Sequence, residues 1–327
     1  MTRALVTGAS GFVGSRLCRE LMEHGYQVRA FCRKGSKTDV LGSLEVDIAY
    51  GDIRDRESIE RAMEDVEVVF HIAALFRQAK FPDQVYYDIN AGGVKNVFEV
   101  AVNKGAKKVI HCSTVGVHSH IPNPPANEEE DYRPGDIYQE TKCEGEKLAL
   151  SYLRSGKISG AVIRPAMIWG PGDMRMLKLF RGIARRRFPL IGSGETLVHW
   201  VLVDDLVRAF RLAAETDGID GEVFIIAGER PVKLRYLLEK VAEFYGVKLL
   251  PFRIPALPVQ ILGSIVEIAC IPFGIEPPIY RRRVDFFTKT RAFDSSKAKK
   301  LLGYAPAQSF EDEVKIIGSW YKEQGLI

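Results

Sequence analysis

The sequence predicts an α/β fold in which a doubly wound parallel sheet is joined to a smaller, mostly helical C-terminal region. Two observations predict it. The first half alternates short apolar runs with longer amphipathic stretches, which is typical of βαβ units in a sheet covered on both faces. After a loop rich in Pro and Gly at 165–172 this alternation ends, and helical patterns dominate from Pro231 onward.

The individual elements follow from these patterns in chain order. Strands are predicted at 4–7, 28–32, 46–50, 66–71, 108–113 and 160–164, and helices at 13–24, 56–64, 85–104 and 137–154. Further along, a helix is predicted at 174–187, a strand near 200–203, a helix near 205–215 and a strand near 223–227. We expect both later strands to return to the sheet. Right-handed crossovers then place ligands at the carboxyl ends of the strands.

Length and composition are those of an ordinary globular protein with one large domain or two closely packed ones. The chain has 327 residues, of which 46% are hydrophobic and 27% charged, and a formal net charge of +4. So small a charge argues against a dedicated nucleic-acid binder. The dense basic runs lie at 185–187 and 281–283. We interpret them as solvated faces or contacts to carboxylates, with an anionic substrate group as the alternative.

Cysteine usage and the N-terminus indicate the compartment. Five cysteines are scattered along the chain without CxxC spacing. This pattern favours a reducing environment and predicts neither a disulfide framework nor a zinc site, so no metal is expected. Met1, Thr2 and Arg3 run directly into the first apolar strand. We therefore expect no signal peptide and a cytoplasmic protein.

The most apolar part of the chain is residues 254–279, which prolines and Glu267 interrupt. Its apolar core of about 13 residues is shorter than the roughly 20 that a membrane-spanning helix needs, so no transmembrane segment is expected. We interpret it as a buried helix of the C-terminal region. The alternatives are a lipid-facing patch in peripheral contact with a membrane and an apolar substrate mouth.

Three glycines follow the first predicted strand and open the first predicted helix. Gly8 permits a tight turn, Gly11 allows the backbone to approach a pyrophosphate, and Gly14 allows close helix packing. The helix N-terminus offers amide donors to the phosphates. The spacing alone is weak, but its place between strand and helix predicts a nicotinamide dinucleotide site. The other contacts expected from this turn come from Ser10, Phe12 and Val13.

The position of the glycine motif and the change of pattern after residue 164 indicate how the chain is divided into domains. We expect a dinucleotide-binding Rossmann domain over residues 1–170 with a return segment at about 199–227. Residues 171–198 and 228–327 are expected to form the substrate-binding region. A small-molecule substrate is the expected partner.

The end of the second strand predicts the type of dinucleotide. An acidic residue there would receive the adenosine ribose hydroxyl, but Cys32 occupies that position. Arg33 and Lys34 follow it and can face a 2′-phosphate. NADP is therefore favoured, with NAD as the alternative.

Tyr138 and Lys142 lie one turn apart on the same face of a predicted helix, after a strand that ends near Thr114. A phenol has a pKa near 10, and a lysine ammonium about 4 Å away would lower it by roughly three units. Tyr138 can then exchange a proton with an alcohol or ketone while Thr114 hydrogen-bonds the reacting oxygen. Tyr236 and Lys240 repeat the spacing without a strand-end hydroxyl before them, and we expect a structural role there.

Several motifs occur in order along the chain. They are Thr7-Gly8-Ala9-Ser10-Gly11-Phe12-Val13-Gly14, Asp52-Ile53, His71-Ile72-Ala73-Ala74, Ser113-Thr114, Tyr138-xxx-Lys142, Arg164-Pro165-xxxx-Gly170-Pro171-Gly172 and the tail Asp294-Ser295-Ser296-Lys297-Ala298 through Leu302-Gly303-Tyr304. Together they resemble an extended short-chain dehydrogenase/reductase of the NAD-dependent epimerase/dehydratase group. The resemblance covers nearly the whole chain.

The resemblance implies further site residues. Asp52 and Ile53 would contact the adenine, Asn90 would lie near the cofactor, and Pro165 and Ile168 would abut the nicotinamide. The lining of the dinucleotide would include Ala73, Ala74 and Leu75.

The resemblance also implies which residue supplies the catalytic hydroxyl and which helices form the dimer interface. The family pattern selects Thr114 over Ser113, places His118 where a Tyr is usual, and gives Glu146 a structural role. Members of the group often pair through the helices at 85–104 and 137–154, which implies a homodimer.

Compared with the sugar dehydratases and epimerases of the group, the chain lacks residues that are typical of those reactions. Val115 and Gly116 stand where sugar dehydratases of the group carry an Asp-Glu pair. Met167 stands near the usual epimerase Asn, and the stretch 197–200 lacks the epimerase Arg, although Arg181, Arg282 or Arg283 could compensate.

Arg33 and the apolar stretch 254–279 fit another branch of the group better, and the resemblance to that branch implies reversible hydride transfer at a secondary alcohol or ketone of a bulky, largely apolar substrate. This function resembles that of 3β-hydroxysteroid dehydrogenases and dihydroflavonol reductases. A nucleotide-sugar 4-epimerase is the alternative, and a non-catalytic dinucleotide-sensing protein is a minor one.

Overall fold

The structure is a computed structural model that describes residues 1–76, 81–270 and 281–327. Its strands are β1 Arg3–Thr7, β2 Gln27–Cys32, β3 Asp47–Tyr50, β4 Val68–His71, β5 Lys108–Cys112, β6 Ser159–Pro165, β7 Met167–Trp169, β8 Leu190–Ile191, β9 Leu197–Val198, β10 Trp200–Leu202, β11 Val223–Ile226, β12 Val232–Lys233 and β13 Arg253–Ile254. Its helices are α1 Phe12–Glu23, α2 Arg56–Ala62, α3 Asp83–Tyr87, α4 Gly93–Lys104, α5 Ile137–Arg154, α6 Leu177–Ala184, α7 Val203–Glu215, α8 Leu234–Phe244, α9 Ala256–Cys270, α10 Arg281–Thr288, α11 Ser296–Leu302 and α12 Phe310–Glu323.

Seven parallel strands form the central sheet in the order β11-β6-β5-β4-β1-β2-β3. This order reverses direction beside β1, and it confirms the predicted doubly wound Rossmann sheet. One face is covered by α1, α7 and α11, and the other by α2, α4 and α5. The strands are buried on both faces, which explains why they read as continuous apolar runs.

A third core lies beyond the sheet. It joins Trp169 and Trp200, whose rings stack with centroids 4.6 Å apart, to the apolar faces of α6, α8 and α12. Three short strand pairs, β7–β10, β9–β12 and β8–β13, connect this region. The predicted smaller, mostly helical C-terminal region is therefore present.

One predicted strand pairs differently from expectation. The strand near 200–203 does not return to the central sheet, because β10 pairs with β7 in a separate two-stranded sheet. The strand near 223–227 does return, as β11 beside β6. A short apolar strand carries no local signal that specifies which partner it will take.

The helix predicted at 85–104 is present with an irregularity. A π-helical turn, Asp88–Gly92, separates α3 from α4. Such turns insert one extra residue per turn and often occur at functional sites. Here the turn carries Asn90, whose side chain is buried.

The expected burial of the apolar stretch is wrong for much of α9. Leu257, Ile261, Leu262 and Ile265 are all more than half exposed. Residues 271–280 of that stretch, and the side chains of the basic run at 281–283, lie outside the described part of the chain. Across residues 1–76, 81–270 and 281–327, no helix is both long and apolar enough to cross a membrane.

Candidate active site

The glycine turn joins β1 to α1 at the carboxyl edge of the sheet. Gly8 has φ +72°, and a Cβ on Gly14 would lie 2.2 Å from the Gly8 carbonyl oxygen. The Gly11 amide donates to that same oxygen at 3.0 Å. In the described part of the chain no side chain caps α1, and no acidic residue lies in its first turn. The helix therefore presents its amide end to an anion, and the turn fits a pyrophosphate.

The next strand end is held against this turn. The Thr7 hydroxyl accepts the amides of Ile72 and Ala73, each at 3.1 Å, and contacts His71 Nδ1 at 2.8 Å. A Cβ on Gly8 would lie 2.9 Å from the Ala73 Cα. The predicted lining residues at 73–75 are thereby brought beside the glycine turn.

The Asn90 side chain bonds to the backbone of the segment 73–75. Its Oδ1 accepts the Leu75 amide at 2.7 Å, and its Nδ2 donates to the Leu75 carbonyl and to Thr141 Oγ1, both at 3.1 Å. Because Thr141 belongs to α5, Asn90 ties the β4 loop to the helix that carries Tyr138.

A pocket of about 490 Å³ lies beside the ends of β2 and β3. Its lining includes Arg33, Lys34, Ser36, Asp52, Asp55, Ser58 and Arg61. Arg33 and Lys34 are exposed. Cys32 is buried, and burial raises the pKa of its thiol despite a hydrogen bond with Ser10.

The carboxylates of this pocket already have partners. Both oxygens of Asp52 accept from Arg54, at 2.7 and 3.0 Å. The hydrogen bonds from Arg54 are the main reason that the pKa of Asp52 is below its usual range. Asp55 accepts the Glu57 amide at 3.1 Å and caps α2. Arg54 balances the charge of Asp52, and Glu57 lies 3.9 Å from Arg61, so Arg33 and Lys34 against Asp55 leave the pocket positive.

The two hydroxyls after β5 have different roles. Ser113 is buried and its Oγ donates to Glu146 Oε2. The Oγ1 of Thr114 instead accepts the Gly116 amide at 3.0 Å, and Thr114 is only half-buried. A hydroxyl that accepts in this way still has its proton to donate.

Tyr138 and Lys142 both lie on α5. Lys142 is buried, and its Nζ donates to the Cys112 carbonyl oxygen at 2.6 Å. Burial lowers the pKa of this ammonium, while Cys112 and Glu146 oppose the shift. Tyr138 is half-buried, and its ring meets Phe76 edge-on with centroids 5.0 Å apart.

A buried polar network fixes α5 against the strand ends. Arg164 at the end of β6 donates to Glu146 through Nε and Nη2, and Tyr132 donates to Glu146 at 2.6 Å. Burial would raise the pKa of Glu146, but these bonds and the arginine charge hold it below its usual range. His118 Nε2 accepts from Arg164 Nη1 at 3.1 Å, so His118 belongs to this network.

The remaining predicted residues lie at the same edge. Pro165 is buried at the end of β6, and Ile168 is half-buried in β7. Ile53 is buried, with its side chain against Gly93 of α4. The second YxxxK lies elsewhere, where the Tyr236 hydroxyl donates to Glu311 at 2.6 Å. Among the residues that the structure describes, no three His, Cys, Asp or Glu side chains are grouped as for a metal ion.

Two residues beside the site, Phe76 and Arg61, were not predicted from the sequence. Arg61 lines the pocket from α2, where Asp55, Ser58 and Arg61 follow one another at three-residue spacing. That spacing on one helix face was the available signal. Phe76 directly follows the 73–75 segment, but no pattern in the sequence paired it with Tyr138.

Extended short-chain dehydrogenases/reductases combine a glycine turn with a tyrosine–lysine helix at one edge of a doubly wound sheet, and this chain has both features. The comparisons agree. The profile described as "NAD dependent epimerase/dehydratase family" matches residues 4–227, and the chain belongs to this family of enzymes.

Relatives of the chain include steroid-related enzymes and a sugar epimerase. Sterol demethylase protein B of Methylococcus capsulatus is 31% identical over 99% of both chains. A 3beta-hydroxysteroid-dehydrogenase/decarboxylase of Arabidopsis thaliana is 29% identical over 95% of this chain and 77% of its own. Among solved structures, a UDP-glucose 4-epimerase of Thermotoga maritima with UDP-glucose has a TM-score of 0.79 at 26% identity, covering 99% of each chain.

Proposed function

We propose that this enzyme is an NADP-linked dehydrogenase/reductase that acts reversibly on a secondary alcohol or ketone of a bulky, largely apolar substrate. The observation that carries the proposal is the contact between Phe76 and Tyr138. Phe76 is 46% exposed, so an apolar surface lies directly beside the proposed proton donor. The steroid-related relatives support the same substrate class.

The proposed chemistry assigns one task to each catalytic residue. When bound, the nicotinamide supplies or accepts a hydride. Tyr138 gives a proton to the ketone oxygen or takes one from the alcohol. Thr114 donates a hydrogen bond to the same oxygen, since its Oγ1 already accepts the Gly116 amide. Lys142 lies one turn from Tyr138 on α5, and its positive charge favours the phenolate form of Tyr138.

The preference for NADP over NAD rests on the pocket at the ends of β2 and β3. Arg33, Lys34 and Arg61 line it, while Asp52 and Asp55 are already bonded to other groups. Arginine binds phosphate through charge-assisted hydrogen bonds. A 2′-phosphate would find partners here, whereas no carboxylate stands at Cys32 to hold a free ribose hydroxyl.

Two features weigh against a nucleotide-sugar substrate. His199, within the stretch where epimerases carry an Arg, is buried and bonds to the Gly228 carbonyl and the Phe293 amide. Arg181, a candidate to compensate, donates to the Leu326 carbonyl at 3.0 Å. Both side chains therefore already bond within the protein, where a nucleotide-sugar diphosphate would need them as partners.

The proposal includes the arrangement expected from the sequence. Residues 1–170 and about 199–227 bind the dinucleotide, and residues 171–198 and 228–327 cover the substrate. We further propose a cytoplasmic homodimer.

A substrate panel tests the proposed function. The purified enzyme is supplied with NADP⁺ or NADPH and either 3β-hydroxysterols with their ketones or UDP- and GDP-sugars. We expect net oxidation or reduction of the nicotinamide with the sterol set. Inversion of a sugar without net nicotinamide turnover would overturn the proposal in favour of an epimerase.

A further inference from the structure

The helix α9 presents an apolar face to solvent. Leu257, Ile261 and Ile265 follow one another at four-residue spacing and are 66%, 54% and 58% exposed. Residues four apart lie above one another on a helix, so these side chains form one stripe. Pro258 and Leu262 are also exposed and widen it. Exposed apolar surface of this kind marks an interaction site.

The residues that precede α9 add an exposed aromatic ring and basic side chains beside this stripe. Phe252 is 57% exposed just before β13, and Arg253 beside it is exposed. β13 pairs with β8, and the exposed arginines 185–187 lie just before β8. The small β8–β13 sheet therefore connects the arginine run to the start of α9.

Acidic side chains are scarce around this surface. Between Met174 and Trp200 the sequence has one acidic residue, Glu195, whose carboxylate pairs with Lys233 at 2.7 Å. Between Gly246 and Val266 it has none; Glu267 follows on α9, and Asp285 of the neighbouring α10 pairs with Lys289 at 3.0 Å. Within the described ranges, Arg185, Arg186 and Arg187 form no ion pair, so their charge is available to an outside anion.

We propose that α9 and these arginines form a membrane-docking surface for bilayers that contain anionic lipids. An apolar helix face enters the boundary between headgroups and acyl chains, while the basic groups contact lipid phosphates. A protein partner is less well matched, because a second copy would bring identical, uncompensated arginine runs to one two-fold interface. The proposal does not depend on the proposed substrate or reaction.

Vesicle co-sedimentation of the full chain tests this surface. We expect binding to vesicles of phosphatidylcholine mixed with phosphatidylglycerol, and much weaker binding to phosphatidylcholine alone. Leu257→Asp with Ile261→Asp should lower the partition coefficient about tenfold or more, because two apolar side chains are removed from the contact. Arg186→Glu with Arg187→Glu should lower it about tenfold or more, and only on the anionic vesicles.

Matched controls separate docking from general effects. Leu301→Asp changes an exposed apolar residue of α11, and Arg19→Glu changes an exposed arginine of α1. Both should bind vesicles as the unchanged protein does. Thermal unfolding followed by circular dichroism confirms that each variant is folded. Equal binding by all variants, or no vesicle binding by the unchanged protein, would overturn the proposal. So would an α9-dependent dimer in sedimentation velocity without vesicle binding.

Discussion

Arg164 Nη2 donates to Glu146 Oε1 at 2.5 Å, and both side chains are almost fully buried. The pair links the end of β6 to α5, four residues beyond Lys142. The Ser113 hydroxyl donates to the same carboxylate, which also fixes the segment that carries Thr114. Helix α5 is thus positioned by a buried charge pair rather than by apolar packing alone.

Removing one partner of this pair should destabilise the fold strongly. Glu146→Gln leaves the Arg164 charge buried without its counter-charge, and we expect a loss of about 3–5 kcal/mol in the free energy of unfolding. Urea denaturation measures it. Glu60→Gln is the matched control, because its pair with Arg56 is exposed, and it should change the free energy by less than about 1 kcal/mol. Equal stabilities for both variants would contradict the structural role of the buried pair.

The glycine turn should reject even one added methyl group. A Cβ on Gly14 would lie 2.2 Å from the Gly8 carbonyl oxygen. We expect Gly14→Ala to cost about 1–3 kcal/mol of stability and to weaken dinucleotide binding. In Gly92→Ala the nearest atom would be 3.7 Å away, so that variant should retain full stability and binding. Thermal unfolding and cofactor titration compare them, and normal binding by Gly14→Ala would show that the turn has been misassigned.

The buried histidines should make the protein sensitive to acid. Burial lowers the pKa of His71 to about 3 and that of His199 to about 4. The unfolded chain binds these protons below about pH 6.5, whereas the native state does not. Stability should therefore fall between pH 6.5 and about 4, by about 1.4 kcal/mol per pH unit for each histidine.

Urea denaturation across that pH range checks the slope. His71→Asn keeps an acceptor for the Thr7 hydroxyl and should reduce the slope by one histidine's share. His24→Gln replaces an exposed histidine at the C-cap of α1 and serves as the control. An unchanged slope in His71→Asn would rule out His71 as a source of acid sensitivity.

Arg33 should set the choice of dinucleotide. Loss of a charge-assisted bond to phosphate costs about 1.5–3 kcal/mol, so Arg33→Ala should raise the Kd for NADPH by about 10- to 100-fold and leave that for NADH unchanged. Fluorescence titration measures both constants. Lys37→Ala is the control, since Lys37 is a nearby exposed basic residue outside the pocket lining. Equal effects of Arg33→Ala on the two cofactors would remove the basis for NADP preference.

The sequence predicted most of the sheet and the helix that carries Tyr138 and Lys142, because both have strong local signals. Periodicity predicted α5 at 137–154, where the structure has Ile137–Arg154. The pairing of β10 with β7 and the exposure of α9 could not be predicted, because both depend on contacts distant in the chain. An apolar helix is expected to be buried, and only the tertiary arrangement leaves Leu257 and Ile261 in solvent.

The candidate site was also predictable only where local patterns determine it. Thr114 was preferred over Ser113 by pattern, and the structure adds that Ser113 donates to Glu146. The role of His118 depended on a partner, Arg164, that lies 46 residues further along the chain. No local pattern could have joined them.

We propose that Tyr138 carries the proton of a nicotinamide-linked reaction. The most direct test compares turnover and dinucleotide binding in Tyr138→Phe, with Tyr236→Phe as the control from the second YxxxK. We expect Tyr138→Phe to lose about 10²- to 10⁴-fold in turnover while binding the dinucleotide normally, and Tyr236→Phe to match the unchanged enzyme. Full turnover by Tyr138→Phe would show that another group carries the proton.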